Sequence, residues 1–218
     1  MSDLDQCRQK LARAHLYAIV DTGYVEIDRI PYVTEQLVIG GVDIIQFRAK
    51  KRPLAEIAEL GKAIRALIPS DGPLFVLNDH PELVCDMGAD GIHVGQDDLS
   101  VAEARAQAGA EVLVGKSTHS FDQAIAAEKE GADYIGVGPI FATPTKPDYV
   151  PVGPPLIGQV RAAVRVPQFC IGGINEQTLP EVLAAGAKRV VIVSALLRSK
   201  DISGYCQRVR EQLNATSL

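Results

Sequence analysis

Gln46, Arg48 and Lys50 stand at alternate positions directly after the apolar pair Ile44-Ile45. On an extended chain, residues two apart share one face. A guanidinium and an ammonium on that face suit a diphosphate, the first by bidentate hydrogen bonding and the second as a point charge. A solvated basic strand end is the plainer reading, since Lys51 and Arg52 extend the charge.

Asn78-Asp79 and Asp98 each follow a later apolar run. Two carboxylates with an amide nearby could hold Mg²⁺ and leave coordination positions open for substrate phosphates. Capping is the alternative. Asn78 or Asp79 precedes Pro81-Glu82, and Asp97 or Asp98 precedes Ser100, so each could satisfy N–H groups at a helix start.

Ser117-Thr118-His119 ends another run, and its hydroxyls could bind phosphate, although Thr118 or Ser120 could equally cap a helix. His119 is a candidate acid or base or a structural residue, and His93 reads as pocket-lining. Thr143-Pro144-Thr145-Lys146 places two hydroxyls and an ammonium on a proline-stiffened loop, which limits the entropy lost in closing around an anion. The plainer alternative is a solvated turn. Gly172-Gly173 and Ser194 end the last two runs, and glycine admits an anion close to backbone N–H groups.

These groups are far apart in sequence, so the elements carrying them must gather them. Apolar runs at 16–21, 43–48, 74–78, 91–95, 112–117, 134–139, 168–172 and 189–194 read as strands. They are nearly continuous and rich in Val and Ile, as in parallel strands buried on both faces. Helical stretches near 30–40, 54–68, 80–87, 100–108, 120–130, 154–164, 175–185 and 201–213 alternate with them. A phrase such as Gly131-Ala132-Asp133 recurs before the runs, with glycine ending a helix and the chain turning into a strand. Gly88, Gly109 and Gly131 repeat at about the length of one βα unit, a period that a solenoid could also produce.

Eight alternating units predict a single-domain (β/α)8 TIM barrel over 1–218, with 1–14 an N-terminal extension or helix. A doubly wound open sheet is the alternative, but it concentrates ligands at one switch point. In a barrel the C-terminal strand ends share one rim. Phosphate commonly sits between the loops after strands seven and eight, which predicts a second anion site near Gly173 and Ser194. Ser194-Ala195-Leu196-Leu197 can start the short helix such a site uses.

Composition narrows the class. The 218 residues carry a net charge of -5, so bulk charge gives no reason to expect nucleic acid or membrane as partners. Cys7, Cys85, Cys170 and Cys206 include no CxxC pair and suggest neither zinc nor a disulfide framework. The start, Met1-Ser2-Asp3-Leu4-Asp5, is unlike a secretory signal, and a cytoplasmic protein is the expectation.

The chain resembles the thiamine phosphate synthase family over roughly 15–200. The resemblance rests on Gln46 to Lys50, Asn78-Asp79, His93 to Asp98, Gly115 to His119, Gly136 to Lys146, Gly172 to Ile174 and Val193-Ser194. It implies a barrel transferase that joins an aminopyrimidine diphosphate to a thiazole phosphate. Gln46, Phe47, Arg48, Ala49, Lys50, Asn78, Ser117 and Lys146 would bind the first substrate, with Arg48, Lys50, Ser117 and Lys146 catalytic. Asp79 and Asp98 would hold Mg²⁺, and Thr143, Pro144, Thr145, Gly173, Val193 and Ser194 would bind the second substrate. A homo-oligomer stays open. A related thiazole tautomerase would not need the joint set Arg48, Lys50, Asp79, Asp98 and Lys146. Two positions depart from the family pattern: Ala49 stands where an acidic residue is usual, and Lys116 where an apolar one is.

Overall fold

The computed structural model describes residues 3–143, 145 and 149–215. Eight parallel strands close into a barrel in sequence order, β1 pairing with both β2 and β8. The strands are β1 (Leu16–Asp21), β2 (Ile44–Arg48), β3 (Leu74–Asn78), β4 (Gly91–Val94), β5 (Leu113–Thr118), β6 (Tyr134–Val137), β7 (Gln168–Cys170) and β8 (Val190–Ile192). Around them run α2 (Ile30–Ile39), α3 (Leu54–Leu67), α4 (Val84–Met87), α5 (Val101–Ala108), α6 (Phe121–Lys129), α7 (Pro155–Ala163), α8 (Leu179–Ala184) and α10 (Ile202–Ala215). The short α9 (Ser194–Leu197) follows β8 directly. The open-sheet and solenoid alternatives are excluded.

Strand alternation sorts the side chains into two layers. Ala18, Ile45, Phe75, Ile92, Val114, Ile135 and Ile192 face outward into the apolar layer beneath the helices. Tyr17, Ile44, Val76, Leu113, Tyr134, Phe169 and Val191 face inward and fill the barrel. The N-terminal α1 (Asp3–Arg13) closes the bottom, with Leu4 and Leu11 completing this inner cluster. Arg8 of α1 pairs with Asp133, and the Lys10 ammonium donates to the Ser70 and Gly72 carbonyls.

The recurring aspartates have a structural task at this lower face. Asp43, Asp90 and Asp133 lie just before β2, β4 and β6, and each accepts a backbone N–H from the first or second residue of the preceding strand: Leu16, Phe75 and Val114. Arg210, Arg65 and Arg105 pair with the same three carboxylates. One side chain thereby satisfies a strand end that would otherwise be buried unpaired. The bottom is built for stability, which leaves the upper rim for chemistry.

Two capping questions are also answered. Ser100 caps α5 in a reciprocal capping box with Glu103, and Ser120 caps α6 by accepting from the Gln123 N–H. His80, not Asn78 or Asp79, stands at the cap position of the 3-10 turn Pro81–Leu83, and makes no side-chain cap. The site aspartates are therefore not spent on helix ends.

Candidate active site

The upper rim surrounds a cavity of about 270 Å³. Gln46, Arg48, Asn78, Ser117, Thr143, Thr145, Gly173, Val193 and Ser194 all line it, so groups separated by up to 148 positions meet in one place. Pro144 and Lys146 lie outside the described residues.

The floor is aromatic. Tyr17, Tyr134 and Phe169 form a triangle, with ring centroids 5.4 Å apart for Tyr17–Phe169, 5.7 Å for Tyr134–Phe169 and 6.0 Å for Tyr17–Tyr134. Gly115 makes room for it, because a Cβ there would stand 2.1 Å from Tyr134 Cζ. Above the rings runs a continuous polar chain. Gln46 Nε2 donates to the Tyr17 hydroxyl at 2.8 Å, which meets the Tyr134 hydroxyl at 3.0 Å. His93 bridges Tyr134, at 3.2 Å through Nδ1, to the Ser117 hydroxyl, at 2.9 Å through Nε2. His93 is thus the pocket-lining residue its position suggested. Burial raises the pKa of both phenols, and the neighbouring Tyr17 raises Tyr134 further, so both hydroxyls stay neutral near pH 7. A flat apolar floor edged by neutral donors and acceptors suits an uncharged heteroaromatic ring.

The β2 side carries the cations. Gln46 and Arg48 point inward, as alternation requires. Arg48 is held by Asp21, its registered partner on β1, with Nη1 2.6 Å from Oδ2. Lys50 lies beyond the strand and reaches Asp79 at 3.2 Å. Phe47 and Ala49 differ from their neighbours on this segment. Their side chains alternate to the outer face and sit buried in the apolar layer, so only their backbone is available to a substrate.

Asp79 adopts a left-handed backbone, φ 69°, unusual for a residue other than glycine. That turn brings its carboxyl against Asp98. Burial raises the pKa of Asp79, and the charge on Asp98 raises it further against the opposing pull of Lys50. For Asp98, burial also disfavours the charge, but the Gly95 N–H, the hydrogen bond from Asp79, Lys50 and Lys116 outweigh it and lower the pKa. The two carboxyls thus pull each other's protonation in opposite directions, as an adjacent like-charged pair does. Asp98 reaches this position by folding back onto Gly95, whose N–H it accepts at 2.7 Å; a Cβ on Gly95 would stand 2.7 Å from the same oxygen. Among the described residues no group of three or more His, Cys, Asp or Glu forms a metal cluster.

Lys116, the departure noted in the sequence, lies on the outer face of β5. It is the one cation among the buried polar residues described, 6% exposed, and donates to the Leu99 carbonyl at 3.0 Å. The loop bearing Asp98 is thereby tied to β5, a tie that Gln96 doubles through the Ser117 carbonyl.

Across the cavity, Gly172 and Gly173 have φ of 98° and 66° and press against the loop after β6. A Cβ on Gly172 would stand 2.4 Å from Pro139 Cβ, and one on Gly173 2.6 Å from Phe141 Cβ. Val193 caps the start of α9, which places Ser194 at its first turn. Gly173, Val193 and Ser194 thus line the cavity at the β7 and β8 loops, where barrels commonly bind a phosphate. His119 also lines the cavity, but it binds the Gly138 carbonyl through Nδ1 and packs on Tyr149 with ring centroids 4.7 Å apart. That favours the structural reading of His119.

Three residues lining the cavity with polar groups, Asp21, Tyr17 and Tyr134, were not anticipated. Alternation along β1 could have found two of them, since Tyr17, Ile19 and Asp21 share the inward face.

A family model described as thiamine monophosphate synthase matches residues 16–196. A Halalkalibacterium halodurans protein named thiamine-phosphate synthase is 42% identical over 193 residues, covering 88% of this chain and 92% of that one. A Gloeobacter violaceus protein of the same name is 38% identical over 207 residues, and this chain spans 60% of its greater length. The solved structure of thiamine phosphate pyrophosphorylase from Pyrococcus furiosus superposes with a TM-score of 0.83 at 30% identity, over 96% of this chain and 98% of that one. With the match extending from β1 to α9, the chain belongs to the thiamine monophosphate synthase family.

Proposed function

We propose that the protein joins an aminopyrimidine methyl diphosphate to a thiazole phosphate, yielding thiamine phosphate and diphosphate. One observation carries this reading: two sides suited to anions face each other across a single neutral, aromatic-floored cavity. Arg48, Lys50, Asn78 and Ser117 serve the diphosphate, with Lys146 joining them on the strength of the family resemblance. Thr143, Thr145, Gly173, Val193 and Ser194 serve the thiazole phosphate, together with Pro144 by the same resemblance.

The Asp79–Asp98 pair fits Mg²⁺. Two adjacent carboxylates form an all-oxygen set, and the repulsion that raises the pKa of Asp79 is what a hard divalent cation bound between them would relieve. Bound there, Mg²⁺ would offset charge on the leaving diphosphate.

The bond between the pyrimidine methylene carbon and the diphosphate oxygen breaks, and its electron pair leaves with diphosphate. The aminopyrimidine ring stabilises the resulting cation, and the thiazole nitrogen lone pair forms the new C–N bond. Arg48 and Lys50 hold the departing anion while the floor keeps the two rings in line. Tyr17, Tyr134 and His93 position the ring through hydrogen bonds. No side chain acts as a covalent nucleophile.

The test is to incubate the protein with both half-substrates, with and without Mg²⁺, and to quantify diphosphate and thiamine phosphate together. Equal amounts of both products, only with Mg²⁺, are expected. Folded protein that produces neither refutes the reading.

A further inference from the structure

Thr145 does not stand alone on its loop. Its Oγ1 lies 2.8 Å from the Tyr24 hydroxyl, which comes from the turn after β1, 121 positions away. Tyr24 is itself fixed from two sides. Its N–H donates to the Asp21 carbonyl at 2.9 Å, and the Arg198 guanidinium sits over its ring, 5.2 Å from the centroid. Arg198 directly follows α9, so this contact joins the β1 turn to the phosphate-side helix. The same turn also serves the opposite subsite. Asp21 holds Arg48 through one carboxylate oxygen and receives the Gly23 N–H on the other at 2.8 Å.

We propose that Tyr24 is a positioning residue for the second substrate, setting the direction in which the Thr145 hydroxyl donates. This rests on the proposed role of Thr145 at the thiazole phosphate. A phosphate dianion only accepts hydrogen bonds, so Thr145 must donate to it. With the Tyr24 O–H donating to a lone pair on Thr145 Oγ1, the Thr145 proton is directed away from Tyr24 and is free for the phosphate. A hydroxyl that accepts one hydrogen bond is also polarised to donate a stronger one. Tyr24 accomplishes this without touching either reacting ring, and Arg198 holds the phenol in place from behind.

The experiment compares Tyr24→Phe, Thr145→Val, their combination and Arg198→Met in the full-length protein, with KM for each substrate and kcat measured separately. Tyr24→Phe keeps the ring under Arg198 and removes only the hydroxyl. It is expected to raise the thiazole phosphate KM about five- to tenfold, the size of one ordinary hydrogen bond. The kcat and the pyrimidine diphosphate KM should stay within about twofold. Thr145→Val should raise the same KM at least as much, and the double variant should equal Thr145→Val alone, because Tyr24 acts through Thr145. Arg198→Met should raise that KM by a smaller factor, and it carries the test if Tyr24→Phe does not fold.

An effect of Tyr24→Phe that adds to that of Thr145→Val overturns the proposal, as does an unchanged KM in Tyr24→Phe beside a raised one in Thr145→Val. If Thr145→Val itself leaves the thiazole phosphate KM unchanged, the assignment of Thr145 fails instead.

Discussion

Asp21 and Arg48 face each other as registered partners on β1 and β2, joined at 2.6 Å with only 3% and 18% of their side chains exposed. The guanidinium proposed to meet the diphosphate is thus preset by a carboxylate that the solvent barely reaches. Asp21→Asn keeps an acceptor for the Gly23 N–H but removes the charge that orients Arg48. It is expected to lower kcat/KM for the pyrimidine diphosphate about tenfold or more and to cost up to about 3 kcal/mol of stability, since a nearly buried cation loses its partner. Steady-state kinetics with urea unfolding checks both; a variant with tighter diphosphate binding and unchanged turnover would show that Asp21 merely competes with substrate.

Asp98→Asn should raise the Mg²⁺ concentration needed for half-maximal activity. The amide cannot supply the anionic oxygen that, beside Asp79, makes this corner attractive to a hard cation. An unaltered titration would remove Asp98 from the metal site.

Lys116→Met should shift the same titration the other way. The buried ammonium lowers the pKa of Asp98, and a positive charge that favours the carboxylate also repels an incoming cation. Removing it is expected to improve Mg²⁺ binding by about 1 kcal/mol, roughly fivefold, while leaving the Leu99 carbonyl without its donor. Calorimetric Mg²⁺ titration of the protein without substrate reads this directly, and weaker binding would contradict it.

Gly115→Ala tests the floor. The added methyl collides with the Tyr134 ring, whose hydroxyl links Tyr17 to His93, so the side chain must move. A loss of about 1–3 kcal/mol is expected, with a drop in kcat, from thermal unfolding and turnover measured together. Unchanged stability would mean that the ring has room that the barrel does not show.

Alkaline pH should weaken the fold. Burial pushes the Cys170 and Cys206 thiols up to about 12, and it also raises the Tyr17 and Tyr134 phenols. Unfolded, these groups release protons from 9.0 for the thiols and 10.0 for the phenols. Above those values the unfolded chain binds fewer protons than the folded one. Their contribution is therefore complete below pH 9 and is lost as pH rises, by about 1.4 kcal/mol per pH unit for each group until its folded pKa is passed. Urea midpoints at pH 8 and 10.5 should differ accordingly; equal midpoints would contradict the burial of these groups.

Local sequence was enough to reveal the barrel, because each βα unit repeats one pattern: apolar run, polar residue, helix, glycine. It also pointed to Gln46 and Arg48, which interrupt an apolar strand with polar side chains and do line the cavity. Tyr17 and Tyr134 were hidden because each reads as one more hydrophobic member of its strand. Their hydroxyls acquire meaning only when barrel closure sets β1 and β6 on facing walls, a distance of 117 positions that no spacing rule encodes. Tyr24 escaped for the same reason, since its partner lies on the loop after β6. Phe47 and Ala49 belong to the same motif but turn their side chains outward, which leaves only their backbone toward the rim.

The central claim is that the two anions occupy opposite sides of one cavity. A crystal structure of the protein with thiamine phosphate, diphosphate and Mg²⁺ tests it most directly. Diphosphate is expected against Arg48 and Lys50 with the metal on Asp79 and Asp98, and the phosphate of the thiazole half against Gly173 and Ser194. Both anions on the same side, or the two exchanged, would contradict the account.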